Sequence, residues 1–405
     1  MRLTYLPTTL SKMNNTNSTL LSSTRIRSID ILRGIVIVLM ILDHVRDYFH
    51  IGAFGLNPTD PLTSTIALFS TRWITHLCAP IFIWLAGVSA FAYYKKNGSK
   101  KTFSFLFIRG FILILLEFTI IRLGWEFQFD ISHISFLVIS AIGVCMIALA
   151  ILQFFQQQIV FIIGIAIIIT HNLLDSYDFG NAGWGALLWH ILHQSGNIAV
   201  THHLVVFVLF PVLPMIGLIC LGFGMGSMFT DDSTEERQAL FKRLSVILLL
   251  LFISLRLLNE YGDPSQWVRN EAVYRVVFSF LNVTKYPMSL DYILLTMSIA
   301  FYLIRFIERN TNSYMERLSV FGKASMFVYI IHIYVIHMLA LVMATIKMKS
   351  FTAVWESGTW MKLGYEYGHS LFIVYVIWIF ILIALYPLCK RYPELKSKYP
   401  LLRYI

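Results

Sequence analysis

Asp43, His44, Arg46 and Asp47 fall together near the end of an apolar stretch that opens with Arg27-Ser28-Ile29-Asp30-Ile31-Leu32-Arg33-Gly34. On a helix, Asp43 and Asp47 are four apart and share a face, and His44 is turned about 100° from Asp43. Imidazole titrates near neutral pH, so a histidine oriented by a neighbouring carboxylate suits general-base catalysis. The plainer reading is a solvated helix end in which Asp43, Arg46 and Asp47 pair locally. Ionisable groups in hydrocarbon are costly unless they face a wet cavity or a partner. A helix with Asp30 and Arg33 at its start and this cluster at its end therefore implies a polar path into a bilayer, used for catalysis or transport.

Other segments add weaker candidates. Asn57-Pro58-Thr59-Asp60-Pro61 precedes Thr71-Arg72-Trp73-Ile74-Thr75-His76, where Arg72 and His76 are four apart. An arginine there can grip a phosphate or carboxylate with two parallel hydrogen bonds, or both residues can be interfacial anchors. Segment 176–203 holds Trp184, Trp189, His190, His193, Gln194, Ser195 and Asn197 without Lys or Arg. That surface suits a sugar-like acceptor, with Asp60, Trp184 and His193 as candidate binding residues, and equally suits a plain interfacial loop. His332 and His337 are five apart, off the spacing of four that a helical metal pair prefers, and interhelical hydrogen bonding is the simpler role. Gly222-Phe223-Gly224-Met225-Gly226 lies in an apolar run with no strand before it, so a small-residue helix contact explains it better than nucleotide binding. Cys78, Cys145, Cys220 and Cys389 are unpaired in apolar runs and read as packed thiols. No metal site is expected.

The elements that must hold these residues are membrane helices. The 405-residue chain is 57% hydrophobic and 13% charged, with a mean hydropathy of +0.70; an ordinary globular domain carries roughly 25% charged residues. Spans need about 20 apolar residues, and ten are expected: about 31–50, 75–94, 103–122, 134–153, 158–175, 204–229, 243–260, 287–307, 320–345 and 369–389. With both termini cytoplasmic, 22 of the 32 Lys and Arg residues lie inside, as the positive-inside rule requires. The net charge of +10 is chiefly this topology signal, and nucleic acid is not an expected partner. The fold expected is an all-α integral membrane protein. Residues 1–24 form a disordered cytoplasmic tail without the apolar core of a signal peptide, 25–390 the membrane domain and 391–405 a basic cytoplasmic tail.

Arg27-Ser28-Ile29-Asp30-x-x-Arg33-Gly34 and Met40-Ile41-Leu42-Asp43-His44-Val45-Arg46-Asp47 resemble the start of the heparan-alpha-glucosaminide N-acetyltransferase-like family, including its bacterial DUF1624 branch. The likeness extends to Ala79-Pro80-Ile81-Phe82-Ile83-Trp84-Leu85-Ala86-Gly87, Phe210-Pro211-Val212-Leu213-Pro214, Lys285-Tyr286-Pro287-Met288-Ser289-Leu290 and Phe321-Gly322-Lys323. It implies a multi-span acyltransferase of the inner (cytoplasmic) membrane, in contact with lipid. Acetyl-CoA is the implied co-substrate, a sugar or glycan the implied acceptor, and a homodimer an open option. The position of His44 is an Asn site residue in the animal enzyme, and a loop histidine of that enzyme has His50 and His76 as its nearest counterparts. On this reading His44 is the base, oriented by Asp43 or Asp47, with His76 second. Arg72 or an amide donor stabilises the oxyanion, and Arg33, Arg72 and Lys323, with Lys95, Lys96 and Arg109 as further inner-side candidates, meet the charged parts of CoA. Direct transfer and an acetyl-histidine intermediate remain open, as do a transporter of a small polar solute and a non-catalytic partner in envelope assembly.

Overall fold

A computed structural model describes residues 26–53, 57–128, 130–269, 272–356, 367–399 and 402. The expected N-terminal tail lies outside the described residues. The chain opens with α1 (Arg27–Phe49). α2 (Ile66–Ile74) passes through a 3-10 turn (Thr75–Leu77) into α3 (Cys78–Asn97), and α4 (Ser99–Leu116) through a π turn (Glu117–Ile121) into α5 (Arg122–Glu126). Then follow α6 (Val138–Leu152), α7 (Gln157–Thr170), α8 (Gly183–Leu192), α9 (Val212–Gly224), α10 (Ser227–Thr230), α11 (Thr234–Leu258) and α12 (Val273–Leu281). The chain continues through α13 (Leu290–Asn310), α14 (Ser313–Lys323), α15 (Ser325–Met348), α16 (Phe351–Glu356) and α17 (Leu371–Lys398).

Among the described residues, seven helical runs are long and apolar enough to cross a membrane: Ile66–Asn97, Ser99–Glu126, Gln157–Leu174, Val212–Thr230, Leu290–Asn310, Ser325–Met348 and Leu371–Lys398. The other three expected spans are also helices, α1, α6 and α11. α1 carries too much charge to qualify on composition, as does α11, which holds Lys242, Arg243 and Arg256 besides its acidic first turn. α6 has 15 residues, about 23 Å of rise, short of a hydrocarbon core of about 30 Å. The basic tail expected from 391 is, as far as Lys398, a continuation of α17.

Not everything is helical. β1 (His133–Phe136), β2 (Gly196–Thr201) and β3 (Leu204–Val208) form a sheet of order β1-β3-β2. β1 runs parallel to β3, pairing Phe136 with Val208, and β2 runs antiparallel to it, pairing Ile198 with Val206. β1 and β3 occupy the first residues of the expected spans 134–153 and 204–229. The helices there start later, at Val138 and Val212. A short β-branched run reads as span or strand by hydropathy alone. Here Ile198 and Val200, then Val206 and Val208, are buried at every second position, the two-residue period of a half-buried sheet.

Glycine sets the helix crossings. A Cβ on Gly34 would stand 1.9 Å from the Leu318 carbonyl oxygen, and one on Gly322 would stand 2.0 Å from that of Asp30, so α1 and α14 cross backbone to backbone. Gly87 and Gly222 do the same for α3 and α9, each 2.1 Å from a carbonyl oxygen of the other helix, Ile219 and Trp84 respectively. Gly226 faces the Phe91 ring. The 222–226 glycines are thus a helix contact of the small-residue kind. Near the start of α1, Glu308 accepts from Ser28 Oγ at 3.0 Å and from Arg237 Nε at 2.9 Å, joining α1, α11 and α13.

Candidate active site

One cavity of about 580 Å³ runs beside α1 and is lined from Arg33 through Met40 to Asp43, His44 and Asp47. Arg33 and Asp47 are 14 positions apart, so the helix carries the cavity wall over about 21 Å. At the Arg33 end the lining includes Arg109, Lys323 and Lys396. Arg33 donates to Ser89 Oγ at 3.0 Å and lies 3.5 Å from Asp30. Lys323 is exposed at the C-terminal end of α14. The middle of the wall is apolar: Phe82 and Ala86 of α3, Leu106 and Leu113 of α4, Ile142 and Met146 of α6, and Met326 of α15.

The opposite end holds a buried ion cluster. Arg46 donates to Asp43 Oδ1 at 3.0 Å and also bonds Asp47 Oδ1. Arg72 Nη1 lies 3.6 Å, and Lys285 Nζ 3.9 Å, from Asp43 Oδ2. Arg72 Nη1 donates to Thr75 Oγ1 at 2.8 Å, and Lys285 Nζ stands 5.2 Å from the centre of the Tyr286 ring. In a low-dielectric setting such charges persist only as a mutually paired group. Asp43 is the hub because α1 presents it between Arg46 one turn on and two cations from other segments.

His44 bonds outside this group. Its Nδ1 is 2.7 Å from Nε2 of His332 on α15, with the rings 12° from parallel. His332 Nδ1 in turn lies 2.7 Å from the Val328 carbonyl oxygen, one turn back on its own helix. Trp125 packs edge-on against His44 at 4.9 Å between ring centres. The expected orienting carboxylates, Asp43 and Asp47, face arginines and lysine instead.

Of the residues singled out from sequence, Asp43, His44, Asp47, Arg33 and Lys323 line the same cavity. Arg72 stands behind Asp43 and is not among the lining residues. His76 is buried, its carbonyl accepting from Tyr292 Oη at 2.6 Å, and it too lies off the cavity wall. Asp60 caps its own turn through Leu62 N at 2.9 Å and Thr63 Oγ1 at 2.8 Å. Trp184 is 64% exposed on α8, and His193 Nε2 is bound to Asp175 Oδ1 at 2.8 Å. The last three are not brought to the cavity. Sequence reasoning gives Lys285 and Trp125 no cavity role, places Arg109 among the inner-side candidates for CoA, and assigns His332 interhelical hydrogen bonding, which its bond to His44 bears out. For Lys285 the available signals are its place at the head of the family-like Lys285-Tyr286-Pro287-Met288-Ser289-Leu290 and a lysine just before an apolar run, and for Arg109 an arginine within one. Among the described residues no group of three or more His, Cys, Asp or Glu side chains is placed to hold a metal ion.

A helical, multi-pass membrane protein with a cavity joining a basic mouth to a half-buried histidine is the class that fold and site define. A family model for the catalytic region of heparan-alpha-glucosaminide N-acetyltransferase matches residues 25–261. The match covers more than half of the chain, which therefore belongs to this family of transmembrane acetyltransferases. No curated protein matches the chain. The matched region runs from just before α1 to just past the end of α11, so Lys285, Lys323 and His332 lie beyond it.

Proposed function

We propose that the protein transfers an acetyl group from cytosolic acetyl-CoA to a hydroxyl or amine of a sugar or glycan acceptor, with His44 as general base. The observation that carries this reading is the single cavity that joins Arg33, Arg109, Lys323 and Lys396 to His44 and Lys285. Basic groups at the mouth suit the phosphates of CoA. The apolar middle suits its extended arm, which places the thioester beside His44. The acceptor's O–H or N–H proton passes to His44 Nε2 as its oxygen or nitrogen attacks the thioester carbonyl. The tetrahedral intermediate collapses, the C–S bond breaks, and the departing thiolate takes the proton back from His44. Lys285 is the cation on the cavity wall suited to meet the developing oxyanion, a role that falls to it rather than to Arg72 because Arg72 is behind Asp43. Asp43 and Asp47 hold Arg46 and Lys285 in place.

In this reading ten spans cross the inner membrane with both termini cytoplasmic, so the basic mouth opens to the cytosol and the His44 end approaches the far side. The test is release of free CoA thiol from acetyl-CoA by purified protein in nanodiscs, with glucosamine and mixed sugars as acceptors and His44→Ala alongside. Turnover that vanishes in the folded variant is the expected result. Absence of both turnover and acetyl-CoA binding in the unaltered protein would overturn it in favour of solute transport.

A further inference from the structure

His332 is 0% exposed, two turns into α15, and outside the cavity lining. It is 288 residues from His44 in sequence, and its one side-chain neighbour by hydrogen bond among the described residues is His44. The direction of the hydrogen bonds between them follows from a single peptide group. The Val328 carbonyl can only accept, so the His332 Nδ1 at 2.7 Å from it carries the proton. A neutral imidazole with its proton on Nδ1 has a bare Nε2, which can only accept. His44 Nδ1, 2.7 Å away, must then be the donor. The proton of neutral His44 is thereby fixed on Nδ1, and Nε2 is the nitrogen left with a free lone pair, on a ring that lines the cavity.

We infer that His332 is a positioning residue that holds His44 in the one tautomer able to take a proton at Nε2, in the place a carboxylate occupies in a serine–histidine–aspartate arrangement. This rests on the proposed role of His44 as base. When His44 gains the acceptor's proton at Nε2, its Nδ1–H becomes a charged donor, and its bond to His332 strengthens at that moment. A neutral orienter does this without adding a third carboxylate beside Asp43 and Asp47. The four-residue reach from His332 to Val328 also fixes the plane of the His332 ring, and the hydrogen bond between the two near-parallel rings transmits that plane to His44. In serine proteases, replacing the orienting carboxylate by a group that selects the other tautomer leaves the geometry intact and lowers turnover by about 10⁴-fold.

The experiment compares His332→Phe, which keeps a ring but cannot accept, with His332→Gln, whose side-chain oxygen can reach the position of Nε2 and accept from His44 Nδ1–H. Both are assayed for acetyl-CoA turnover in nanodiscs, each alone and in the His44→Ala background, with acetyl-CoA binding as the measure of folding. The expected result for His332→Phe is a fall in kcat of about 10²-fold or more, with KM for acetyl-CoA little changed. His332→Gln should recover to within about tenfold of the unaltered protein, and His332→Phe should add no loss to His44→Ala. A fully active His332→Phe, or a Gln variant as impaired as a folded Phe variant, or additive losses in the double variant, would overturn the inference while leaving His44 as base. If the Phe variant does not bind acetyl-CoA, recovery or failure of the Gln variant decides. His44→Ala with undiminished turnover would instead overturn the base reading itself.

Discussion

At the mouth of the cavity, Lys323 is exposed and Arg33 is held by one hydroxyl and one carboxylate, Ser89 and Asp30. At the far end, Arg46, Arg72 and Lys285 are mostly withdrawn from solvent and share two carboxylates, Asp43 and Asp47, among three cations. The same residue types therefore have different work. Charges in contact with water are screened and replaceable, so they select a ligand by attraction. Charges withdrawn from water are fixed by one another, so they can hold a reacting group without reorganising. The buried end is thus where both folding and chemistry are most sensitive, and substitutions can break or sharpen that division.

The largest effect is expected for Asp43→Ala. It leaves Arg46, Arg72 and Lys285 facing one another, with Asp47, among the described residues, as the remaining carboxylate of the cluster. Breaking a buried pair from one side costs about 3–5 kcal/mol, comparable to much of the stability of a domain. The protein should fail to reach a monodisperse state in detergent, or should melt well below the unaltered chain in a thermal unfolding series. A variant that melts normally would mean that the cluster is wetter than its burial indicates.

His44→Ala should leave the fold intact, because His332 can rebind to water in the space vacated, and should lower turnover by about 10²–10⁴-fold. Lys285→Met keeps the length of the side chain and its packing on Tyr286 while removing the charge. Loss of one oxyanion donor lowers kcat by about 10²–10³-fold, with KM for acetyl-CoA nearly constant. A rise in KM with unchanged kcat would move Lys285 from chemistry to binding.

How much of this was legible in the sequence depends on whether the signal was local. The helices and the site on α1 were readable because hydropathy and the Asp43-His44-Val45-Arg46-Asp47 run are local. The strands at His133–Phe136 and Leu204–Val208 fall inside expected spans because four or five residues carry no period long enough to separate strand from helix. The partner of His44 was not legible, because it sits 288 positions away and the carboxylates next in sequence were the obvious choice. Lys285 was passed over for Arg72 for a similar reason: which cation reaches the cavity wall depends on how 66–78 and 282–290 pack about Asp43. The glycines at 222 and 226 were read correctly because close helix packing asks only for a missing side chain at a four-residue spacing.

At the mouth, Lys323→Ala should raise KM for acetyl-CoA by a few-fold and leave kcat unchanged, since an exposed ion pair contributes about 0–1 kcal/mol. The same assay in high salt should shrink the difference between variant and unaltered protein, because ions screen exposed charges over about 10 Å or less. Lys285→Met, buried, should show little of that salt dependence. If both variants respond to salt alike, the two ends of the cavity are not electrostatically distinct.

The smallest effect is expected outside the cavity. Trp184 stands exposed on α8 with Leu188, one turn on, 69% exposed, an apolar stripe suited to the membrane interface, where tryptophan is enriched. Trp184→Ala should change stability by no more than about 0.5 kcal/mol and leave turnover with small sugar acceptors unaltered. A large rise in the KM of the acceptor, with that of acetyl-CoA constant, would instead make segment 176–203 part of the acceptor's route. The cavity would then continue past the ion cluster to that surface when substrate is bound, and Lys285, between the two, would be the residue the acceptor passes.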